Sequence, residues 1–427
     1  MYFICCSLVL FVFPISSQAE KNSIQQLIDE AQPGDTINVK QGIYEENIII
    51  DKPIHLIGEN EVIIQNKKEK PIITIQANNV KIENIAFEFQ TANHSPTILI
   101  QGNENILTKL QIKTNSIGIK LDDANDNELV EITIEGEETT PINQRQHGID
   151  LWKSSNNIIS HNNITHVQDG IYVESSKKNN ILENYVANSR YGYHLMFTEE
   201  TTLMKNESYE NISGMMVMGT KGTQVHNNMI KYNQKNVQSL GLLLFDVRNA
   251  TIIENEIAHN RIGILIEDAF DNKFTKNMIQ NNYIGVQFKR AENNTITNNS
   301  FVANVVQGQA EDSSDNKTNN NYWGDHKGLD ITGDRTSDLT YEINPFFLHL
   351  TNEYPPYRLL FDSPGMIFLE ELLHTPVEEK LTDLSPLMED PLFSEKTSDE
   401  NGRNVFVFSS IFFILSLAII FTGVRKL

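Results

Sequence analysis

"GIYVESSKKNNILENYVANSRY", from Gly170 to Tyr191, is followed directly by "GYHLMFTEETTLMKNESYENIS", from Gly192 to Ser213. The two stretches align position for position. Each begins with glycine, has apolar residues one and three places later, and has asparagine fourteen places later. The pair is therefore one step of a repeat, and repeats with periods of roughly 20–50 residues are typical of solenoids.

The glycine that begins each unit of the repeat recurs with a nearly constant spacing. Successive spacings are 22, 22, 22, 27, 22 and 22 residues, so one unit carries a five-residue insertion. The apolar residues one and three places after each glycine alternate with period two, which predicts a strand with those positions facing a core. The aligned glycines are Gly148, Gly170, Gly192, Gly214, Gly241, Gly263 and Gly285.

Asparagine occupies the same place in all seven units. Coils stacked ~4.8 Å apart would let each side-chain amide bond its neighbours above and below, as a ladder at a turn. Asparagine also tolerates the left-handed backbone that sharp turns need. These features predict an all-β, right-handed parallel β-helix with a ladder of Asn162, Asn184, Asn206, Asn228, Asn255, Asn277 and Asn299.

The regions on either side of the repeat divide the chain into several segments. An amphipathic stretch from Ser23 to Ala31 would cap one end of a β-helix over residues 20–344. The regular coils run over 116–306, which places Asn299 near the end of the ladder. Residues 345–388 form a proline-rich C-terminal docking region, and 389–404 form an acidic linker.

The two termini predict an extracytoplasmic protein. Residues 1–19 have the apolar run and small residues of a signal peptide, and they contain both cysteines, so the mature chain would have no disulfide or thiolate site. Residues 405–424 are uncharged and long enough to cross a bilayer, with a basic cytoplasmic tail over 425–427.

Net charge limits the partners. With 34 Lys and Arg against 56 Asp and Glu, the chain has a formal charge of −22. This charge repels a phosphate backbone, so nucleic acid is not expected as a partner, whereas cations or basic proteins are.

Four stretches resemble the NosD family. They are "GDTINVKQGIYEENIIIDKPIHLIGEN" from Gly34, "NNNYWGDHKGLDITGDRTSD" from Asn319, "YPPYRLLFDSPGMIFLEELL" from Tyr354 and the later "SPLM". The resemblance implies a non-enzymatic, extracytoplasmic factor for maturation of the copper enzyme nitrous oxide reductase. It also implies an ABC-type ATPase with its membrane permease, a copper-carrying lipoprotein and the reductase itself as partners.

The residues two and four places after each glycine should face outward. They form a continuous strip, here called the outer strip, that is aromatic, apolar and rich in thioethers instead of Thr, Lys or Asn. Its members are Asp150, Trp152, Tyr172, Glu174, His194, Met196, Met216, Met218, Leu243, Phe245, Leu265 and Glu267.

Two interpretations of the outer strip are compatible. His194, Met196, Met216 and Met218 could converge from adjacent coils to hold Cu(I) transiently, because soft ligands suit that ion. In the other interpretation, the methionines are adaptable contact residues of an interaction face, or the C-terminal tail covers the strip. That face would also include Trp152, Tyr172, Leu243 and Phe245.

Other polar residues are weaker candidates. Five histidines are expected as surface or turn residues: His147, His161, His166, His226 and His259. Asp325, Asp330, Asp334 and Asp338 could wrap Ca²⁺ together with Gly328 and Gly333, but their spacing does not match an EF-hand, and a hydrated acidic turn is favoured.

A carbohydrate-binding or polysaccharide-modifying β-helix, such as a lyase or epimerase, is the alternative function. It would need convergent carboxylates and a positive cleft. Asp122 and Asp123 are one such pair, but no second pair recurs at a matching register.

Overall fold

The computed structural model describes residues 23–66, 69–89, 95–343 and 381–392, with a few isolated positions between 350 and 369. The proposed signal peptide, the segment 405–424 and the basic tail lie outside these residues. No helix among the described residues is long and apolar enough to cross a membrane.

The chain winds into a right-handed parallel β-solenoid of about 13 coils. Each coil contributes one short strand to each of three sheets, named A, B and C here, and neighbouring strands within a sheet come from successive coils. The pairing is parallel throughout the coils because every coil repeats the path of the one before it. The predicted β-helix is therefore confirmed.

Sheets A and B contain short strands. Sheet A consists of β1 Thr36–Val39, β4 His55–Gly58, β7 Lys81–Glu83, β10 Ile106–Thr108, β13 Glu128–Val130, β16 Ile158–Ser160, β19 Asn180–Leu182, β22 Thr202–Met204, β25 Gln224–His226, β28 Thr251–Ile253, β31 Lys273–Thr275, β34 Thr295–Thr297, β37 Lys317–Asn319, β40 Leu381–Asp383 and β39 Tyr341–Ile343. Sheet B consists of β2 Gly42–Glu45, β5 Val62–Asn66, β8 Ala86–Phe89, β11 Gln111–Thr114, β14 Thr133–Glu135, β17 Asn163–Thr165, β20 Tyr185–Ala187, β23 Glu207–Tyr209, β26 Met229–Lys231, β29 Glu256–Ala258, β32 Met278–Gln280, β35 Ser300–Val302 and β38 Tyr322–Trp323.

Sheet C has the longest strands and contains the glycine steps. Its strands are β3 Ile48–Ile50, β6 Ile73–Ile75, β9 Ile98–Ile100, β12 Ile119–Asp122, β15 Ile149–Trp152, β18 Asp169–Glu174, β21 Tyr191–Met196, β24 Ser213–Met218, β27 Leu240–Phe245, β30 Ile262–Glu267, β33 Ile284–Lys289 and β36 Val306–Glu311. The glycines lie where sheet C passes close to sheet B. A Cβ at position 170 would clash with the Val186 side chain. This close approach explains why glycine recurs at the same position of each aligned unit.

The core runs along the axis and is closed at its N-terminal end. Helix α1, Ile24–Glu30, buries Ile24 and Ile28 against the first coils, as the sequence predicts. The Glu46 carboxylate accepts hydrogen bonds from the backbone N–H groups of Ile24 and Gln25, at 2.9 and 3.2 Å. These bonds satisfy amides that a helix leaves unpaired at its start.

The predicted asparagine ladder is present and fully bonded. Asn184, for example, donates its backbone N–H and its Nδ2 to Oδ1 of Asn206, both at 3.0 Å, and donates Nδ2 to the Ile159 carbonyl at 2.8 Å. The left-handed residue is not the ladder asparagine but the one before it, such as Glu183 with φ 55° or Lys205 with φ 54°. The ladder side chain must point inward, so the turn residue before it takes the strained conformation and faces solvent.

The repeat continues beyond residue 306, so the predicted end of the regular coils is wrong. Strands β36, β37 and β38 complete a further coil, and Asn321 extends the ladder past Asn299. Asp383 of β40 then takes the next place, accepting from the Asn321 backbone N–H, from its Nδ2 and from Trp323 Nε1 at 3.1, 2.9 and 3.0 Å. Part of the segment interpreted as a docking region therefore closes the C-terminal end of the solenoid.

Substituting Asn228 or Asn299 by Leu should destabilise the protein to a similar extent. Each substitution removes the Oδ1 acceptor used by the preceding asparagine and leaves buried groups unsatisfied, at ~1–3 kcal/mol for each group. Chemical denaturation measures both variants, with Asn163→Thr on the exposed face of β17 as the control. A much smaller loss at Asn299 would show that the last coils contribute little.

Candidate functional site

The outer strip faces away from the axis, as predicted. Tyr193 and Leu195 belong to the central core, whereas Met216, Leu243 and Leu265 form a separate cluster with Leu240 on the outside of sheet C. The expectation of a broadly exposed face is wrong, because His194 is 7% and Met216 6% exposed. Side chains stacked on coils ~4.8 Å apart cover one another, so an outward direction does not imply exposure.

His194 is held by a buried carboxylate. Its Nδ1 lies 2.9 Å from Oδ2 of Asp169, whose side chain is fully buried. Arg190 binds the same carboxylate with Nε to Oδ1 at 2.8 Å and Nη2 to Oδ2 at 2.7 Å. Burial favours the neutral acid, but the hydrogen bonds from His194 and Arg190 outweigh it and lower the pKa of Asp169. Asp169 is therefore a carboxylate and accepts a hydrogen bond from His194 Nδ1–H.

In the neutral imidazole this hydrogen bond places the proton on Nδ1 and leaves Nε2 of His194 with a lone pair. Nε2 is buried and has no hydrogen-bond partner among the described residues. Histidines that bind metals commonly donate their other N–H to a carboxylate, which orients the ring and makes the free nitrogen more basic. The pairing with Asp169 therefore prepares His194 as a ligand.

Methionines neighbour His194 in the register of sheet C. Met216 is the partner of His194 on the adjacent strand, and Met218 is the partner of Met196. The four predicted residues thus form two neighbouring columns. Imidazole nitrogen and thioether sulfur are ligands that suit Cu(I). Within the described ranges, no three His, Cys, Asp or Glu side chains are grouped so that they could hold a metal ion.

Aromatic rings surround the imidazole. Tyr172 is tilted against His194 with centroids 4.9 Å apart, and Tyr191 meets it edge-on at 5.2 Å. The Tyr172 hydroxyl donates to Glu174 Oε2 at 2.7 Å and lies 3.5 Å from Met196 Sδ. Burial, together with Glu174, raises the pKa of Tyr172, so this hydroxyl stays protonated. The tyrosines exclude water from one side of the pair formed by His194 and Met216.

His147 is part of this site, contrary to the expectation of a surface residue. Its ring stacks on Tyr172 with centroids 4.7 Å apart, and its Nδ1 lies 3.7 Å from Asp169 Oδ2. Burial lowers the pKa of His147 to about 4, so the ring is neutral near pH 7. Asp150, on the adjacent strand below Tyr172, is also buried, and burial raises its pKa to about 6.

The residues predicted to form an interaction face differ in exposure. Trp152 is 37% exposed, with the Lys153 ammonium 4.2 Å from its ring centroid, and Phe245, four coils further along the outer strip, is partly buried. Tyr172 is half-buried by His147, and Leu243 is only 7% exposed. The accessible apolar surface therefore lies at Trp152, Met218 and Phe245.

Two insertions border the outer strip at the corner between sheets B and C. One spans 137–147 and includes the 3₁₀ turn Ile142–Gln144, and the other spans 234–239. Arg145 Nη1 donates to the Asn188 carbonyl at 2.9 Å, and Lys235 Nζ donates to Asn188 Oδ1 at 3.1 Å. Only the second insertion was identified from the sequence. The first also leaves a signal there, because 30 residues instead of 22 separate Gly118 from Gly148.

The weaker candidates lie apart from this site. His161, His166 and His259 adopt left-handed turn conformations, as expected, whereas His226 lies on the outer face of sheet A, where burial lowers its pKa.

In the run from Asp325 to Asp338, aspartate side chains accept hydrogen bonds from backbone N–H groups of the same run. Asp330 accepts from the N–H groups of Gly333 and Arg335, at 2.6 and 2.9 Å. Asp334 accepts from Thr336, and Asp338 accepts from Ile331. These bonds are those of an acidic turn, the interpretation favoured over Ca²⁺.

The carboxylates considered for polysaccharide chemistry do not form a site. Asp122 lies on the outer face of sheet C beside Trp152, and Asp123 is an exposed left-handed turn residue beyond the strand. A cavity of about 560 Å³ elsewhere is lined by Glu88, Lys113, Glu135 and Glu137, among others. Its charged lining residues are four glutamates and one lysine, and this negative charge disfavours an anionic polymer.

Solved structures similar to this chain are β-helix proteins. The A-module of mannuronan C-5 epimerase AlgE6 from Azotobacter vinelandii is 12% identical, with a TM-score of 0.50, over 71% of this chain and 92% of that one. A double mutant of the periplasmic alginate epimerase AlgG is 14% identical, with a TM-score of 0.53, over 70% and 83%. At these identities the similarity shows the fold alone.

No curated protein matches the chain. The family model described as periplasmic copper-binding protein NosD matches residues 130–336. This range includes β15, β18, β21, β24, β27 and β30, which carry the outer strip from Asp150 to Glu267. The match confirms the resemblance of this chain to the NosD family.

Proposed function

We propose that this chain is an extracytoplasmic accessory protein that carries Cu(I) on the outer strip during maturation of nitrous oxide reductase. The observation that carries the proposal is the buried Nε2 of His194, which has no hydrogen-bond partner among the described residues, on a ring that Asp169 orients and that is in register with Met216. The match to a family of periplasmic copper-binding proteins supports copper as the cargo.

The ligand set suits an ion that is held and then released. His194 Nε2 and the Met216 sulfur would bind first, and Met196 and Met218 in the next column would offer further sulfurs. Neutral thioether and imidazole ligands bind Cu(I) without a proton or electron being transferred. The ion can therefore leave by ligand exchange with a partner, without any redox step.

The accessible apolar residues along the outer strip would form the docking face. Trp152, Met218 and Phe245 present aromatic and thioether surface beside the proposed ligands. A copper-carrying lipoprotein would deliver the ion there, and the reductase would receive it. An ABC-type ATPase and its permease complete the proposed assembly, with residues 405–424 as the membrane anchor.

Replacing His194, Met196, Met216 and Met218 together by Ser or Thr should weaken Cu(I) binding at least tenfold, or about 1.4 kcal/mol. The inward residues Tyr193, Leu195 and Met215 remain, so the solenoid should still fold. Competition with a Cu(I) chelator under reducing conditions measures the affinity. Circular dichroism checks the fold.

The matched control replaces Leu243 and Leu265 by Thr. Both lie on the same outer face but carry no ligand atom. Cu(I) affinity should be unchanged in this control. If the quadruple variant binds Cu(I) as tightly as the parent but no longer docks to the lipoprotein or the reductase, the outer strip is an interface and not a ligand site.

The polysaccharide alternative is supported by similarity of fold alone. Epimerisation or cleavage of uronic-acid polymers by the purified chain would favour it. The separated Asp122 and Asp123 and the acidic cavity give no arrangement for that chemistry.

A further inference from the structure

A second pair of soft side chains lies on the outer face of sheet A. Met204 ends β22, and His226 ends β25, the next strand of the sheet. The two residues are partners in the parallel register, so their Cα atoms are ~4.8 Å apart and their side chains point the same way. Both are partly buried, between Leu182 and Ile253 in the same column.

Hydrogen bonds fix the tautomer of His226. The Gln224 side-chain amide donates Nε2 to the Gly222 carbonyl at 3.3 Å, which orients its Oε1 toward the imidazole. His226 Nε2 lies 3.0 Å from that Oε1 and is therefore the protonated nitrogen. In the neutral ring Nδ1 keeps a lone pair, and Met204 is the partner of His226 on the adjacent strand.

The same design occurs at His194. There an oxygen of Asp169 fixes one ring nitrogen, and Met216 lies one coil away in register with the imidazole. Both pairs also use the same two coils, because Met204 follows His194 in one coil and His226 follows Met216 in the next. A methionine alone on such a face would be ordinary packing. An oriented imidazole beside it makes a nitrogen and sulfur ligand pair.

We propose that Met204 Sδ and His226 Nδ1 form a second Cu(I) site on sheet A. Two neutral soft ligands suit a monovalent copper ion and leave it open to a third ligand from a partner. The inference takes its ion from the proposed function, but the site is separate from the outer strip. The protein would then hold two ions per chain, on two faces of the solenoid.

Cu(I) stoichiometry of the full chain tests this proposal. The parent should bind two ions in a titration against a Cu(I) chelator. M204L/H226Q should bind one, the quadruple outer-strip variant should bind one, and the combination should bind none. Leu is close in shape to Met, so the M204L change should leave the solenoid folded.

His259→Gln is the matched control. His259 is a turn histidine that stacks on Tyr232, and it has no methionine in its column. This variant should still bind two ions. The imidazole signal of His226 in nuclear magnetic resonance spectra should shift when the second equivalent of Cu(I) is added, and this shift should be lost in M204L, which keeps the imidazole but removes the thioether.

The outcomes separate the two proposals. One bound ion, lost only in the outer-strip variant, would overturn the second site and leave the proposed function standing. One bound ion, lost only in M204L/H226Q, would support the site on sheet A and remove the outer strip as a ligand site. A parent that binds no Cu(I) would overturn both.

Discussion

Asp383→Ala should lower the free energy of unfolding by several kcal/mol, although Asp383 lies outside the repeat. Its Oδ2 accepts three hydrogen bonds, from the Asn321 backbone N–H, from Asn321 Nδ2 and from Trp323 Nε1. The Asp383 side chain is fully buried, so the substitution leaves three donors unsatisfied, at ~1–3 kcal/mol for each. Urea denaturation measures the loss.

Asp383→Asn is the matched control. An asparagine would keep an acceptor where the ladder already uses the same side chain in the preceding coils, so most of the stability should be retained. If Asp383→Ala were as stable as Asp383→Asn, the hydrogen bonds from Asn321 and Trp323 would not stabilise the end of the solenoid. Limited proteolysis should then give the same fragments from both variants.

Asp169→Ala is expected to destabilise the protein by ~1–3 kcal/mol for each buried donor left unsatisfied, because the carboxylate is fully buried although Arg190 is one-third exposed. Arg190 would lose both of its hydrogen bonds to the carboxylate, and His194 would lose the acceptor that fixes its tautomer. Cu(I) affinity should fall as well, because the imidazole is no longer oriented. Denaturation and chelator competition measure the two effects.

Asp268→Ala provides the comparison at the surface. Asp268 binds Arg290 through two hydrogen bonds of similar length, 2.7 and 2.9 Å, but this pair is exposed. Exposed ion pairs contribute little, because water and salt screen them. We expect little change in stability or Cu(I) affinity. Equal effects at Asp169 and Asp268 would contradict the role assigned to burial.

The local sequence pattern was sufficient to predict the repeat. The 22-residue spacing of the glycines and the asparagine in each unit predicted both the coils and the ladder, and alternation with period two predicted that Met215 faces in and Met216 faces out. These features could be read from the chain because every coil repeats the same local conformation. A single register then assigns each residue to the core or to the surface.

Contacts between distant segments could not be read in this way. The closure of the last coil by Asp383 joins residues 62 positions apart, with no periodic signal to mark it. The network of Asp169, Arg190 and His194 depends on which side chains meet when two coils stack. His147 joins them because an insertion ends beside Tyr172. Stacking also decides burial, since outward side chains on coils ~4.8 Å apart shield one another.

The sequence by itself therefore determined the solenoid, its asparagine ladder and the direction of every side chain in the outer strip, because these follow from local periodicity. Only the tertiary structure decided that His194 is buried, which of its nitrogens keeps a lone pair and how the C-terminal end is closed. Those properties depend on hydrogen bonds and packing between residues that are close only after the coils have stacked.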